Sequence, residues 1–153
     1  MLTTRLVTPA DLSQTPTLAA LQQVPVDLDE RAYLFPQGKP LTRLVLHPDG
    51  RHIRVDAVFA FNATRTPPRL FTLELDDARH LAKTLVDAVY LARTQHAITE
   101  TMRVTIEVLA NGYRLQIGEQ DTGLGLYLGT ASIWRVCQAL LRAIDSIAPV
   151  ESN

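Results

Sequence analysis

The sequence predicts an α+β fold in which one unit, a β-hairpin followed by a strand and a helix, occurs twice. Val45–Val55 (VLHPDGRHIRV) aligns with Glu107–Ile117 (EVLANGYRLQI) at one constant offset. Each segment carries Asp-Gly or Asn-Gly between apolar runs, the strongest short signal for a hairpin. A pattern typical of an amphipathic helix follows in each half. We therefore expect antiparallel sheets with the helices packed on one side.

A two-residue loop at Asp49-Gly50, and one at Asn111-Gly112, would fix the register of each hairpin. The expected pairs are Leu46 with Ile53, Leu44 with Val55 and Arg43 with Asp56, and in the second hairpin Val108 with Leu115, Ile106 with Ile117, Glu107 with Gln116, Leu109 with Arg114 and Arg103 with Gln120. In this register each hairpin has one apolar face and one largely polar face, as is common in antiparallel sheets.

A third strand and a helix complete each copy. The strands are predicted at Arg69–Leu75 and Leu124–Gly129, and the first helix spans Asp76 to about Gln95. The second helix ends near Ile147. The expected N-caps are Asp76 or Asp77 for the first helix and Thr130 or Ser132 for the second. The apolar stripes are Leu81, Leu85, Ala88, Val89 and Ala92 in the first helix and Ile133, Cys137, Leu140, Leu141 and Ile144 in the second.

The organisation expected is an N-terminal arm, residues 1–40, and a single α+β domain, residues 41–153. The domain consists of the two copies, residues 41–96 and 101–147, joined at His96–Glu100. The arm has five prolines and cannot bury a core of its own. Thr17–Gln23 can form two turns of helix, and Tyr33–Phe35 is apolar enough to dock on the core. Whether residues 26–35 supply a further strand stays open.

Composition and charge exclude several classes of protein. Among the 153 residues the net charge is −1, one cysteine excludes an internal disulfide framework, and no apolar run reaches the length of a membrane span. The N-terminus lacks the pattern of a signal peptide, so we expect a cytoplasmic protein with no membrane partner. From Lys39 to Arg69 there are six Lys or Arg against two Asp. This asymmetry predicts a local positive surface.

No residue pattern indicates an enzyme. His47 and His52 would face each other across the hairpin end, but the sequence offers no further ligand, so we expect no metal. Cys137 lies on an apolar stripe and is expected to be an inert buried thiol. The glycines of Asp121–Gly129 have neither the P-loop nor the dinucleotide spacing, so we expect no cofactor. A strand there with Gly125 and Gly129 beside Tyr127 predicts either close backbone approach or a stacking platform.

The polar sheet faces are the best functional lead. Arginines, polar side chains and one aromatic on an open β-face suit phosphate contact with base stacking. The alternative is an ordinary solvated face. The predicted nucleic-acid-binding residues are Arg43, His52, Arg54, Arg65, Arg69, Arg103, Arg114, Gln116 and Tyr127. The expectation is a non-enzymatic nucleic-acid-binding protein, for example a transcriptional regulator, acting as a homodimer. Whether it binds single or double strands stays open.

The layout of residues 41–147, a duplicated strand-rich unit closed by a helix, resembles the PUR-repeat, whirly and PC4-type single-stranded nucleic-acid-binding proteins. That resemblance implies curved sheets with helices on one side and the nucleic acid on the other, in dimers or oligomers. Those families have four strands per copy, against three counted here. The order of elements is also similar to the small dimeric chaperones of type III secretion. That second resemblance implies a protein-binding chaperone or adaptor with apolar grooves.

Overall fold

The computed structural model describes residues 23–35, 37–60, 69–118 and 124–147. These ranges contain nine strands and two helices. In chain order they are β1 (Val24–Asp27), β2 (Tyr33–Phe35), β3 (Lys39–Asp49), β4 (His52–Phe59), β5 (Arg69–Glu74), α1 (Leu75–Leu91), β6 (Gln95–Ile98), β7 (Arg103–Leu109), β8 (Gly112–Ile117), β9 (Leu124–Leu128) and α2 (Thr130–Ile147).

The strands form one antiparallel sheet in the order β5-β4-β3-β2-β9-β8-β7-β6, and β1 also pairs with β3. The short strand β2 joins two half-sheets because it pairs with β3 on one side and with β9 on the other. Both helices pack against one face and share a single core with it. The α+β prediction, with antiparallel strands and helices on one side, is therefore confirmed.

The duplication contains one more strand per copy than the sequence indicated. Leu46 lies opposite Val55 in the first hairpin, and the residues 60 positions later, Ile106 and Leu115, lie opposite each other in the second. Val24 pairs with Leu46 in the same way that Gln95 pairs with Ile106. β1 and β6 are therefore equivalent, and each copy is four strands and a helix. Residues 24–35 of the expected arm thus supply two strands of the sheet, whereas the helix expected at 17–23 falls almost entirely outside the described residues.

The first hairpin turns one residue later than predicted, which shifts the register of its two strands by two residues. Its loop is Gly50-Arg51, so Arg43 lies opposite Val58 and not opposite Asp56. Gly50 has φ of 62° and Arg51 does not have positive φ. A positive φ at the first central residue alone suits a type II′ turn, not the type I′ turn inferred from Asp-Gly. A shift by two residues leaves every side chain on its predicted face, so the apolar face is unchanged.

The second hairpin also differs in register, in the opposite direction. Its loop is Ala110-Asn111, and Gly112 begins β8, opposite Leu109. A Cβ on Gly112 would lie 2.5 Å from the carbonyl oxygen of Leu128. This glycine therefore serves the close approach of β8 to β9 and not the turn. The Asn-Gly signal predicts a loop because sequence alone does not distinguish these two uses of glycine.

The ends of the first helix differ from the prediction. α1 begins at Leu75 after Glu74, and no side chain caps it. It ends at Leu91, where Ala92 takes a left-handed conformation with φ of 52°. The segment read as helix end and connector is instead strand β6, because pairing with β7 satisfies its backbone and buries Ala97. α2 ends at Ile147, as predicted.

Each helix packs mainly on the strands of the other copy. α1 lies against β6 and β7, and α2 lies against β1 and β3. The helices touch where the Cys137 thiol approaches the Ala82 carbonyl oxygen, 3.9 Å away. The two helices are equivalent at a sequence offset of 55 residues. Leu75, which begins α1, corresponds to Thr130, which begins α2, and Ala82 corresponds to Cys137. Equivalent residues therefore meet at this contact, which marks an approximate two-fold axis.

The first turn of each helix is anchored to a connector of the opposite copy. The buried carboxylate of Asp77 accepts hydrogen bonds from the hydroxyls of Thr99 (2.7 Å) and Thr101, between β6 and β7. At the equivalent position, the buried Ser132 hydroxyl accepts one from the Asp29 amide (2.9 Å). Both side chains were expected to be N-caps. Their bonds instead tie the two copies together.

The helical stripes are confirmed in their central positions. Leu81, Leu85 and Ala88 are buried on α1, as are Cys137 and Leu140 on α2. Burial raises the pKa of the Cys137 thiol, which keeps it protonated at neutral pH. Neither α1 nor α2 is long and apolar enough to cross a membrane.

Candidate functional site

The sheet face opposite the helices, here called the open face, carries the predicted binding residues. Successive residues of a strand point to opposite faces. Leu44, Val55 and Leu115 are buried toward the helices, so their neighbours along the strands face outward. By this register the open face carries Arg43, His52, Arg54, Arg69, Arg103, Arg114, Gln116 and Tyr127. Arg65 lies outside the described residues.

Three aromatic rings lie together on the open face of the second half-sheet. Tyr33 and Phe35 belong to β2 and Tyr127 to β9, and we call these three residues the aromatic platform. Tyr33 lies opposite Tyr127, and their rings stack with centroids 5.1 Å apart and planes 13° from parallel. Phe35 lies opposite Gly125, where any Cβ would run into the phenyl ring. Glycine at 125 therefore makes room for the ring of Phe35.

Arg114 adds a cation beside the platform. Its guanidinium carbon lies 5.6 Å from the centroid of the Phe35 ring, within the range of a cation–π contact. The same side chain forms an ion pair with Glu107 on β7, and it remains about half exposed. Tyr33 is 37% exposed. The platform thus presents π-surface and a partly neutralised cation to solvent.

The equivalent region of the first half-sheet holds a buried carboxylate in place of aromatic rings. Asp56 is only 6% exposed. Its two oxygens contact the His47 imidazole (Nε2, 3.0 Å) and the Arg54 guanidinium (Nε, 3.2 Å). Burial and the charge of Arg54 lower the pKa of His47, and the attraction of Asp56 opposes this only in part. His47 is therefore neutral at neutral pH and adds no positive charge.

The remaining predicted residues are distributed along both half-sheets. Arg43 forms an ion pair with Asp27 on β1, with 2.9 Å between Nε and Oδ1. Arg69 begins β5 opposite Asp56, and His52 begins β4 between Asp49 and Glu74. Arg103 lies opposite Ile98, and Gln116 lies between Thr105 and Gly125. The predicted residues are therefore not brought into one continuous cluster.

The two hairpin histidines do not face each other, contrary to the sequence-based expectation. His47 lies opposite Arg54, because the one-residue displacement of the turn shifts the pairing by two, and His52 lies opposite Asp49. Within the described ranges, no three His, Cys, Asp or Glu side chains are grouped so that they could hold a metal ion. His96 is placed on β6, where its Nδ1 is 3.1 Å from the Thr105 hydroxyl.

Sequence reasoning missed Tyr33 and Phe35 as residues of the open face. It treated Tyr33–Phe35 as one apolar group that docks on the core. In β2 only Leu34 does so, with 7% exposure, and the residues on both sides point outward. The alternation of a strand was available as a signal, but three residues are too few for it to be recognised without the pairing partner β9.

Comparison with known proteins adds little to this description. No family model matches the chain, and no curated protein matches it. Among solved structures, it is similar to the crystal structure of an SsgA-like sporulation-specific cell division protein from Thermobifida fusca YX-ER1. The identity is 12%, the match covers 84% of this chain and 82% of that chain, and the TM-score is 0.47. A likeness of this degree carries no inference about function.

Proposed function

We propose that the protein binds nucleic acid through the open face of the second half-sheet. The observation that carries this proposal is the aromatic platform, in which Tyr33 stacks on Tyr127 and Arg114 lies over Phe35. Stacking on an aromatic side chain stabilises a bound base by about 1–3 kcal/mol and tolerates any base. The single-stranded form suits this platform better than a duplex, because bases in a duplex already stack on one another.

Phosphate contacts would come from cations near the platform. Arg114 is half exposed, and Arg103 is two strands away from Tyr127, on β7. Lys39 begins β3 beside β2, with its ammonium 5.5 Å from the centroid of the Phe59 ring. Since Glu107 already neutralises part of the charge of Arg114, we expect moderate affinity with a shallow dependence on salt. We propose for it the same cytoplasmic location that the sequence predicts.

The experiment is fluorescence anisotropy with labelled single- and double-stranded oligonucleotides at two salt concentrations. Tyr33→Ala should weaken single-strand binding roughly tenfold, because one stacking surface is lost. The matched control is Tyr90→Ala, which removes an exposed tyrosine from α1 on the opposite side of the sheet. The control should bind like the original protein.

Two results would contradict the proposal. One is the absence of binding to either oligonucleotide at low salt. The other is equal binding by the Tyr33 and Tyr90 variants, since the platform would then not be the contact surface. Stronger binding to the duplex than to the single strand would preserve nucleic-acid binding and overturn the stacking role.

A second candidate function, a protein-binding adaptor or homodimer, is favoured by the outer surface of the helices. Val86 and Tyr90 on α1 and Trp134 and Leu141 on α2 are all more than a third exposed. Val86 and Leu141 occupy equivalent positions beside the two-fold contact of the helices. Contiguous exposed apolar groups mark association surfaces. Light scattering of the protein and of Trp134→Ser would show whether copies associate there. A monomer at every concentration would exclude self-association.

A further inference from the structure

The approximate two-fold symmetry is broken at one sheet edge. On the second copy, the outer edge of β9 pairs with β2. The equivalent strand of the first copy is β5, which pairs with β4 only, among the residues that the structure describes. An edge strand left unpaired presents backbone donors and acceptors and can take up another extended segment.

The difference follows from the lengths of two connectors. Residues 28–38 connect β1 to β3 and contain β2. Residues 99–102 connect the equivalent strands β6 and β7 in a tight turn, closed by a hydrogen bond from the Thr99 amide to the Met102 carbonyl (2.8 Å). Four residues cannot both turn and supply a strand. The second copy therefore offers β5 no counterpart of β2.

The backbone of β5 is oriented to accept a further strand. The Leu75 amide donates to the Arg51 carbonyl on the β4 side (2.9 Å). Residues that bond toward one neighbour alternate with residues that bond toward the other. Leu73 and Phe71 therefore bond toward β4, and the amide and carbonyl of Thr72 point to the unpaired edge. Its equivalent on β9 is Tyr127, which lies opposite Tyr33 of β2.

We propose that the outer edge of β5 binds an extended peptide segment of a partner protein, antiparallel to β5. The two ends of the strand set the charge of that segment. Arg69 begins β5 and Glu74 ends it, and both are exposed. An antiparallel segment would therefore carry a basic residue at its N-terminal end, beside Glu74, and an acidic residue at its C-terminal end. This mode of recognition is β-augmentation, in which main-chain bonds give affinity and side chains give selectivity.

The side chains of the segment can be inferred from β2. Leu34 lies opposite Leu126, whose equivalent is Phe71, so the central residue of the segment is a large aliphatic. Phe35 lies over Gly125, which pairs with Gln116, whereas the equivalent residue of the first copy, Asp56, pairs with Arg69 after a bulge in β5. This end of β5 therefore has a side chain where Gly125 has none, and the residue that follows the central aliphatic must be smaller than phenylalanine.

The test uses a labelled RAYLAE peptide and the full chain, with binding followed by fluorescence anisotropy. Thr72→Pro removes the outward N–H without removing a bond to β4 and should weaken binding roughly tenfold. Thr72→Val keeps that N–H and should bind like the original protein. Circular dichroism of both variants checks that β5 remains in the sheet.

A second variant tests the site without depending on proline. Glu74→Lys should reverse the preference between RAYLAE and EAYLAE, because the charge beside the first residue of the peptide changes sign. Equal affinity of the Pro and Val variants, or an unchanged peptide preference in Glu74→Lys, would overturn the proposal. So would slow exchange of the Thr72 amide in the protein alone, since a segment of the chain itself would then cover the edge. None of these readouts involves nucleic acid, so they separate this site from the aromatic platform.

Discussion

Arg54 on β4 and Arg114 on β8 occupy equivalent positions in the two copies, yet their surroundings differ. Arg54 contacts the buried Asp56 on its own strand, and the residue across from it is His47. Arg114 pairs with Glu107 across the hairpin and lies over the ring of Phe35. The equivalent arginine therefore contacts a buried carboxylate in one copy and lies beside the aromatic platform in the other.

On the side of the sheet that faces the helices, equivalent residues of the two copies have similar surroundings. Leu85 on α1 and Leu140 on α2 are equivalent and both are buried, as are Leu46 and its equivalent Ile106. Because the two helices exchange half-sheets, each copy supplies part of the core of the other, and a change in one affects both. The open face has no such constraint. The core therefore preserves the duplication, whereas the copies diverge on the outer face.

The largest effects are expected from truncating the equivalent core leucines. Leu85→Ala and Leu140→Ala should each lower the free energy of unfolding by about 3 kcal/mol, since both leave a cavity in the shared core. Urea denaturation followed by circular dichroism measures this. A single transition is expected in both variants because the copies share one core. Two separate transitions would show that the copies unfold independently.

The anchors at the helix starts should differ in strength. Asp77→Ala leaves two threonine hydroxyls without their charged acceptor and should cost about 2 kcal/mol. Ser132→Ala removes one neutral bond and should cost about 1 kcal/mol. The control is Asp76→Ala, whose exposed ion pair with Arg79 contributes less than about 1 kcal/mol. Equal costs for positions 76 and 77 in thermal unfolding would contradict the anchoring role.

The polar cluster of the first copy should make stability depend on pH. The pKa of His47 is lowered in the folded protein, so between that pKa and about 6.5 the unfolded chain binds more protons. Stability is thus fully present above about pH 6.5 and falls as pH decreases toward the folded pKa. Thermal unfolding of His47→Gln should lose this part of the pH dependence. An unchanged pH profile would show that His47 does not cause it.

Replacing the equivalent residues Arg54 and Arg114 should have the smallest effects on stability. The two replacements should nevertheless differ clearly in their effect on binding. Arg114→Gln should change the free energy of unfolding by less than about 1 kcal/mol, because its ion pair is exposed. It should nevertheless weaken oligonucleotide binding several-fold and flatten its salt dependence. Arg54→Gln should have a smaller effect on binding, since Arg54 lies on the other half-sheet, away from the aromatic platform. Equal losses of binding would show that both half-sheets contact the ligand.

Much of the fold followed from local pattern. Sequence patterns predicted the two hairpins, the strands after them and the apolar stripes. Strand alternation and helical periodicity can be recognised within short segments of the chain. The exact turns were not, because the two glycine signals serve different purposes. Gly50 supplies a positive φ, whereas Gly112 allows a close approach to β9. Strand β6 was missed since four residues at a sheet edge carry little periodicity of their own.

The candidate site was predictable only in its individual residues. Arg114 and Tyr127 were identified as polar-face residues, and they lie opposite each other on β8 and β9. Tyr33, the ring that stacks on Tyr127, is separated from it by more than half of the chain. No local pattern connects them, since their pairing depends on where β2 enters the sheet.

The class of the fold, the duplication and the apolar face of each element could all be predicted from the sequence. These properties depend on the spacing of residues a few positions apart, which is fixed by helix and strand geometry. Contacts in the folded chain were needed to show that the helices exchange half-sheets and that the buried Asp56 contacts His47. They also show that β2 builds the aromatic platform while, among the described residues, β5 keeps an unpaired edge. Those features depend on contacts between distant segments, which form only when the whole core is assembled.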